Sequence, residues 1–204
     1  MIRLKTNPST IREQGDKLGT YHLADNPNLY EIQRSNNFEF IVTDIDGILR
    51  AGMQGDETYA RINNAQEVLR LSVDSAFVPH FTQNAISVRR GNNELKFAGI
   101  PTFGNGQLTL NDYIGADTKA VLMAWQHLSY DVYTEKVGLV QDYKKDCYLV
   151  EYSPDYQMVR RWILHGCWIS GINENDFSAG SNDTHQVQVT IEYDRAELDT
   201  SEEI

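Results

Sequence analysis

Two runs of patterned hydrophobicity, separated by a polar stretch, dominate the chain between Cys147 and Tyr193. From Arg160 to Ile169 large apolar groups occupy both parities: Trp162, Leu164 and Trp168 on one, Ile163, Cys167 and Ile169 on the other. Successive side chains of a strand point to opposite faces, so this run predicts a strand deep in a sheet or covered on its second side. After the Asn-, Asp-, Ser- and Gly-rich span Asn173 to Asp183, Val187, Val189, Ile191 and Tyr193 alternate strictly with polar residues. That period of two predicts a strand with one dry and one wet face.

The pattern upstream supplies more strands and one helix. Phe38 to Ile45 reads as a strand ended by the turn pair Asp46-Gly47, and Ile48 to Ala65 as a polar, Gly-containing loop with at most one helical turn. Val68 to Asp74 alternates again, with Leu69, Leu71 and Val73 on one face, and Pro79 marks an edge or bend. Ile86 to Arg89 and Glu94 to Phe97 flank Gly91-Asn92-Asn93, which predicts a hairpin. A helix is expected over about 117–133, with Asp117 as its N-cap and Ala120, Val121, Ala124, Trp125, Leu128 and Val132 as its apolar stripe. Cys147 to Tyr152 then restarts the strands. Six or seven strands, one helix and no βαβ alternation predict a mainly β fold: an antiparallel sandwich or partly closed barrel with one flanking α-helix.

The expected organisation is an extended N-terminal arm over 1–36, a β domain over 37–195 and an acidic, solvated tail over 196–204. The arm either lies on the domain or a neighbour, or is a mobile tail. The expected core anchors are Trp125, Trp162, Trp168, Leu164, Val189, Ile191 and Tyr193.

Composition changes this picture in one respect. At 204 residues the chain can bury a sizeable core, but its formal net charge of −11 gives it no generic attraction to nucleic acid or anionic membranes. Cys147 and Cys167, the two cysteines, have no CxxC context and read as buried thiols. Neither an apolar leader at the N-terminus nor a run of membrane-spanning length is present in the sequence.

Candidate chemistry is sparse. Phe40 to Leu49 contains Asp44-x-Asp46-Gly47 after an apolar strand, which resembles the opening motif of haloacid-dehalogenase-type phosphatases, where the first Asp is the nucleophile and the second a general acid–base. Ile48 stands where that motif has Thr, and no later strand ends in paired acids for Mg²⁺. The other reading is that Asp44 and Asp46 end a strand and cap a turn. The five histidines have no metal-ligand spacing, and no serine sits in a Gly-x-Ser-x-Gly context. No catalytic, cofactor or metal site is expected.

Taken in order, Phe38 to Asp194 resembles bacteriophage tail tube proteins. The resemblance rests on the hairpin, the helix segment Leu110-Asn111-Asp112-Tyr113-Ile114, Leu122 to Trp125, the Trp162 to Ile169 strand, and Val187 to Tyr193 followed by Asp194. It implies a β domain that forms hexameric rings with copies of itself, stacked into a hollow virion tail tube. DNA and a tape-measure protein would pass through without specific binding, and sheath, baseplate and terminator proteins would be further partners. The tubes of type VI secretion and of contractile particles are similar in fold. The alternatives are a tail terminator or baseplate tube-initiator of the same fold, or a phosphatase centred on Asp44 and Asp46. Under the tube reading, Arg70, Ser72 and Asp74 on one polar face, and Glu94 and Lys96 on another, are the expected wall or lumen residues.

Overall fold

The computed structural model describes residues 32–52, 64–115, 117–180 and 182–199. The chain divides between Asn36 and Asn37 into two units, and every element named here belongs to the second. Most of the expected N-terminal arm (1–31) and residues 200–204 lie outside the described residues.

One antiparallel sheet runs in the order β1 (Phe38–Val42), β8 (Lys145–Tyr152), β9 (Met158–Glu174), β10 (Gln186–Glu192), β5 (Gly106–Asn111), β2 (Val73–Ser75). β11 (Arg195–Asp199) continues the line of β10 along the same strand, so β9 is flanked by β8, β10 and β11. The first half of β9 pairs with β8 and β11, the second with β10, and the two half-sheets curl into a partly closed barrel about this shared strand. β3 (Phe81–Arg90) and β4 (Asn93–Phe103) form a separate hairpin, and β6 (Tyr130–Asp131) with β7 (Lys136–Val137) a very short one.

The curl has a local cause. Opposite β8, Cys147 pairs with Leu164 but Lys145 with Cys167, so β9 carries one extra residue, and Gly166 there has φ +67°. A β-bulge of this kind bends a strand and reverses its face alternation. Leu164, Cys167 and Ile169 therefore share the buried side, while Trp168 turns the other way, its ring edge-on to Tyr143 with centroids 6.0 Å apart. Trp168 is thus not a core anchor, because strict alternation fails at Gly166. A second irregularity, between Thr190 and Ile191 on β10, faces Ile169 to Gly171.

Leu164, Val189, Ile191 and Tyr193 are buried, and Trp162 packs against the cluster while half-buried. Trp125 is buried too, and its Nε1–H donates to the Tyr143 carbonyl at 2.8 Å. Cys147 and Cys167 are free and buried, and burial pushes the Cys147 thiol well above its ordinary range.

α3 (Thr118–Ser129) covers the sheet. The Asp117 carboxylate accepts from the Ala120 N–H, the expected cap. The helix stops at Ser129, four residues short of Tyr133, because Tyr130 turns extended and the Asp131 carboxylate gathers the Tyr133 and Thr134 N–H groups into a turn. Val132, assigned to the stripe by spacing, is consequently exposed.

Two further helices replace the two ends of the expected loop and most of the expected strand, while residues 53–63 of that loop lie outside the described residues. α1 (Ile45–Gly52) starts inside the expected first strand, burying Ile45 and Leu49 four positions apart. α2 (Ala65–Ser72) occupies most of the expected strand Val68 to Asp74, and buries Ala65, Leu69 and Ser72 along one helical face. Ala, Gln, Glu, Leu and Arg are strong helix formers, and that local preference prevails over the short Leu69-Leu71-Val73 alternation. A fourth, one-turn helix, α4 (Val140–Tyr143), precedes β8.

The C-terminal segment also departs from expectation. Arg195 to Asp199 is not a solvated tail but strand β11, and its acids meet side chains of β9: Asp199 accepts from Arg161 Nε at 2.8 Å, and Glu197 lies 3.1 Å from His165 Nε2.

Gly166→Ala should destabilise the fold by about 1–3 kcal/mol, since its Cβ would meet the Asp194 carboxylate at a left-handed backbone position. Gly171→Ala, whose Cβ finds only Thr190 Oγ1 at 3.9 Å, should be nearly neutral. Urea unfolding midpoints of the two variants decide; equal midpoints would refute the account of the bulge. Ser72→Ala should cost about 1–3 kcal/mol in the same assay, because it strands the buried Thr118 hydroxyl that now lies 2.9 Å from Ser72 Oγ.

Candidate assembly interface

The β3–β4 hairpin is the surface least explained by the fold of a single copy. Its register pairs Ile86 with Phe97 and Val88 with Leu95, and cross-strand partners share a face. One face is thus an apolar stripe of four residues, each 43–55% exposed. The other face pairs Ser87 with Lys96 and Arg89 with Glu94. Arg90, opposite Asn93, continues the apolar side to the tip. A two-stranded hairpin is marginal in water, and an uncovered apolar stripe on it is a pairing surface.

The hairpin is rooted firmly. Tyr193 stacks on Phe77 with centroids 5.7 Å apart, Phe103 meets it edge-on at 6.1 Å, and its hydroxyl donates to the His80 carbonyl at 3.2 Å. Phe77 lies flat over Gly106, where any side chain would collide with the ring. Burial raises the Tyr193 phenol above its ordinary pKa, so it stays a donor at neutral pH.

At the opposite end of β5 and β10 lies a second exposed apolar surface, a rim. There Asp112 N–H donates to the His185 carbonyl at 3.1 Å and Asn175 N–H to the Gln186 carbonyl at 3.3 Å. His185 is stacked by Phe177 at 4.4 Å and 7°. Its ring nitrogens lie 3.4 Å from Asp112 and 4.0 Å from Glu174, near enough for ion pairing but out of hydrogen-bond alignment. Phe177, Tyr113 and Ile114 stay exposed beside this cluster. Tyr113 and Ile114 close the Leu110–Ile114 segment of the family resemblance, which is the end of β5 and a turn rather than helix, and periodicity marks none of the three as a surface because they lie in polar, aperiodic loops.

The expected wall residues separate. Glu94 and Lys96 do lie on one polar face of the hairpin, and Asp74 is exposed on β2 at a sheet edge. Arg70 instead sits on helix α2, 3.5 Å from Glu39 of β1. Ser72 is wholly buried, donating to the Val68 carbonyl, and cannot face a lumen. The shared face assigned to Arg70, Ser72 and Asp74 fails because the first two are helical.

The Asp44/Asp46 motif takes the form of a turn and cap. Asp44 has φ +50° at the end of β1, and the Asp46 carboxylate accepts from the Ala65 N–H at the start of α2. β1 is an edge strand antiparallel to β8, unlike the parallel strand that carries the phosphatase motif. Among the described residues no group of three or more His, Cys, Asp or Glu could hold a metal ion, and no helix is long and apolar enough to cross a membrane.

Several solved structures are similar to this chain. A chain of the sheath–tube complex of an extracellular contractile injection system in the extended state superposes with TM-score 0.60 at 15% identity, over 86% of this chain and 97% of that one. A chain of the sheath/tube terminator of such a system gives 0.58 at 19% identity, over 84% and 98%. One from the tube-terminating cap of the anti-feeding prophage gives 0.58 at 16%, over 87% and 99%. At these identities the likeness is one of fold. No curated protein sequence matches the chain. The family model described as T4-like virus tail tube protein gp19 matches residues 36–197, which takes in the hairpin, the shared strand β9 and the first three residues of β11. The chain therefore belongs to the T4-like tail tube protein family.

Proposed function

We propose that this protein forms hexameric rings that stack into the hollow tube of a phage tail or related injection particle, through which DNA and a tape-measure protein pass. The observation that carries the reading is the amphipathic β3–β4 hairpin, whose apolar stripe is uncovered in a single copy. Covering that stripe would gain roughly 1 kcal/mol or more per side chain, about half the full-burial value because each is already half covered. Among the described residues β1 and β2 are the edge strands of the sheet, and such edges offer backbone to neighbours within a ring.

The charge of −11 fits a conduit, because phosphates meeting a negative wall are not retained. Glu94 and Lys96, on the polar face of the hairpin, and Asp74, on the β2 edge, are the residues we place toward the lumen. Sheath, baseplate and terminator proteins are the expected partners at the outer surface and tube ends. The particle is assembled in the host cytoplasm.

Negative-stain microscopy of the purified full chain over a range of concentrations tests this. Wild type should give rings and stacked tubes, and Phe97→Asp, placing a charge in the stripe, should leave the secondary structure intact while abolishing tubes. Rings that never stack would favour the terminator or initiator role. A protein monomeric at every concentration, salt and pH tried would overturn the proposal.

A further inference from the structure

Asn105 is the only asparagine in the chain that is followed by glycine. That pair has a chemistry of its own. The backbone nitrogen next in the chain can attack the asparagine side-chain carbonyl, and glycine, lacking a Cβ, leaves that nitrogen open to the approach. Every other asparagine precedes a larger residue, whose side chain hinders the ring closure.

The fold puts this pair at an exposed and lightly held place. Gly104 and Asn105 form the whole connection between β4, which ends at Phe103, and β5, which starts at Gly106. Asn105 is exposed and belongs to no strand, and its Nδ2 donates to Glu192 Oε1 over a long 3.4 Å. Water therefore reaches the side-chain amide. Gly106 is buried beneath Phe77 and pairs with Ile191 of β10. As the first residue of its strand it sits at the margin of the pairing, where a sheet opens most readily.

We propose that Asn105 is a site of spontaneous hydrolytic deamidation, and that its product loosens the base of the β3–β4 hairpin. The inference is independent of the ring-stacking reading. The Gly106 nitrogen bonds to Asn105 Cγ, its proton passes through water to Nδ2, and the Cγ–Nδ2 bond breaks to release ammonia. The cyclic imide left behind takes up one water. Opening on one side gives aspartate with the original backbone; opening on the other gives isoaspartate, whose main chain runs through Cβ and Cγ. One water is consumed and one ammonia released, with no oxidant or reductant.

Both products act on the hairpin root. Each puts a carboxylate where the Nδ2 donor stood, facing Glu192 at hydrogen-bond range. Like charges so close repel. Glu192 adjoins Tyr193, whose ring and hydroxyl hold Phe77, Phe103 and His80. Isoaspartate also inserts a backbone carbon directly before Gly106, which pushes the glycine against Phe77 and out of register with Ile191.

The test incubates the native full chain at mildly alkaline pH, beside the same chain unfolded in urea, and maps both by mass spectrometry. The expected result is a gain of one mass unit at Asn105 in the native chain, as aspartate and isoaspartate, ahead of every other asparagine. Asn105→Gln should stay unmodified at that position. Conversion in the unfolded chain with none in the native one would overturn the site, since the fold would then shield it; so would conversion in neither. Asn105→Asp stands in for one product. Hydrogen exchange of its β3 and β4 amides should be roughly five-fold faster than in wild type, the factor for one lost hydrogen bond, with β8 amides unchanged. Asn105→Gln, which adds no charge, should stay nearer wild type. Equal exchange in Asn105→Asp and wild type would overturn the loosening of the hairpin.

Discussion

The fold depends on one strand serving two half-sheets. β9 pairs with β8 and β11 over its first half and with β10 over its second, and the change occurs where Gly166 adopts a left-handed backbone. Around that glycine the polar groups are satisfied locally. Its N–H donates to the Asp146 carboxylate at 3.2 Å, Asp194 N–H donates to the His165 carbonyl at 2.9 Å, and Lys144 lies 2.7 Å from the Asp194 carboxylate. The bulge turns the sheet, lets Cys167 and Ile169 join Leu164 in the core, and leaves room beneath for Trp125 and its helix. Without it a seventeen-residue strand would present alternate faces uniformly and could not close a core from both ends.

Much of this was legible in the sequence. The β10 alternation, the hairpin about Gly91, the Asp117 cap and the mainly β class follow from period and turn chemistry, and the order of elements carried the family resemblance. What escaped was set partly by contacts distant in sequence and partly by competing local preferences. The parity of Trp168 depends on a bulge whose signal is a single glycine. The helicity of Ala65–Ser72 competes with a three-residue alternation that fits equally well by eye. The strand β11 looked like a tail because its acids find Arg161 and His165 only after folding. Of the assembly surfaces, the hairpin was visible as an element, but its exposure was not. The rim was invisible because its apolar residues have no period.

The protein shows two different uses of large hydrophobic groups. Phe77, Phe103 and Tyr193 gather into a dry root that fixes the hairpin to the barrel, whereas Ile86, Val88, Leu95 and Phe97 remain in water. The first set contributes to the stability of one copy; the second contributes nothing until another surface covers it. A net charge of −11 opposes indiscriminate association through that second set, since copies repel unless the docking geometry is right.

The placement of hairpin root and rim at opposite ends of β5 gives any stack built through them a direction. In such a stack one terminus would display free ribbons and the other bare rims, so the two termini would be chemically distinct objects. Growth could proceed from either one, but each would need a different cap: a protein offering a rim at one end, a protein offering a ribbon at the other. Length control in such a polymer becomes a question of which of two unlike chemistries is blocked first.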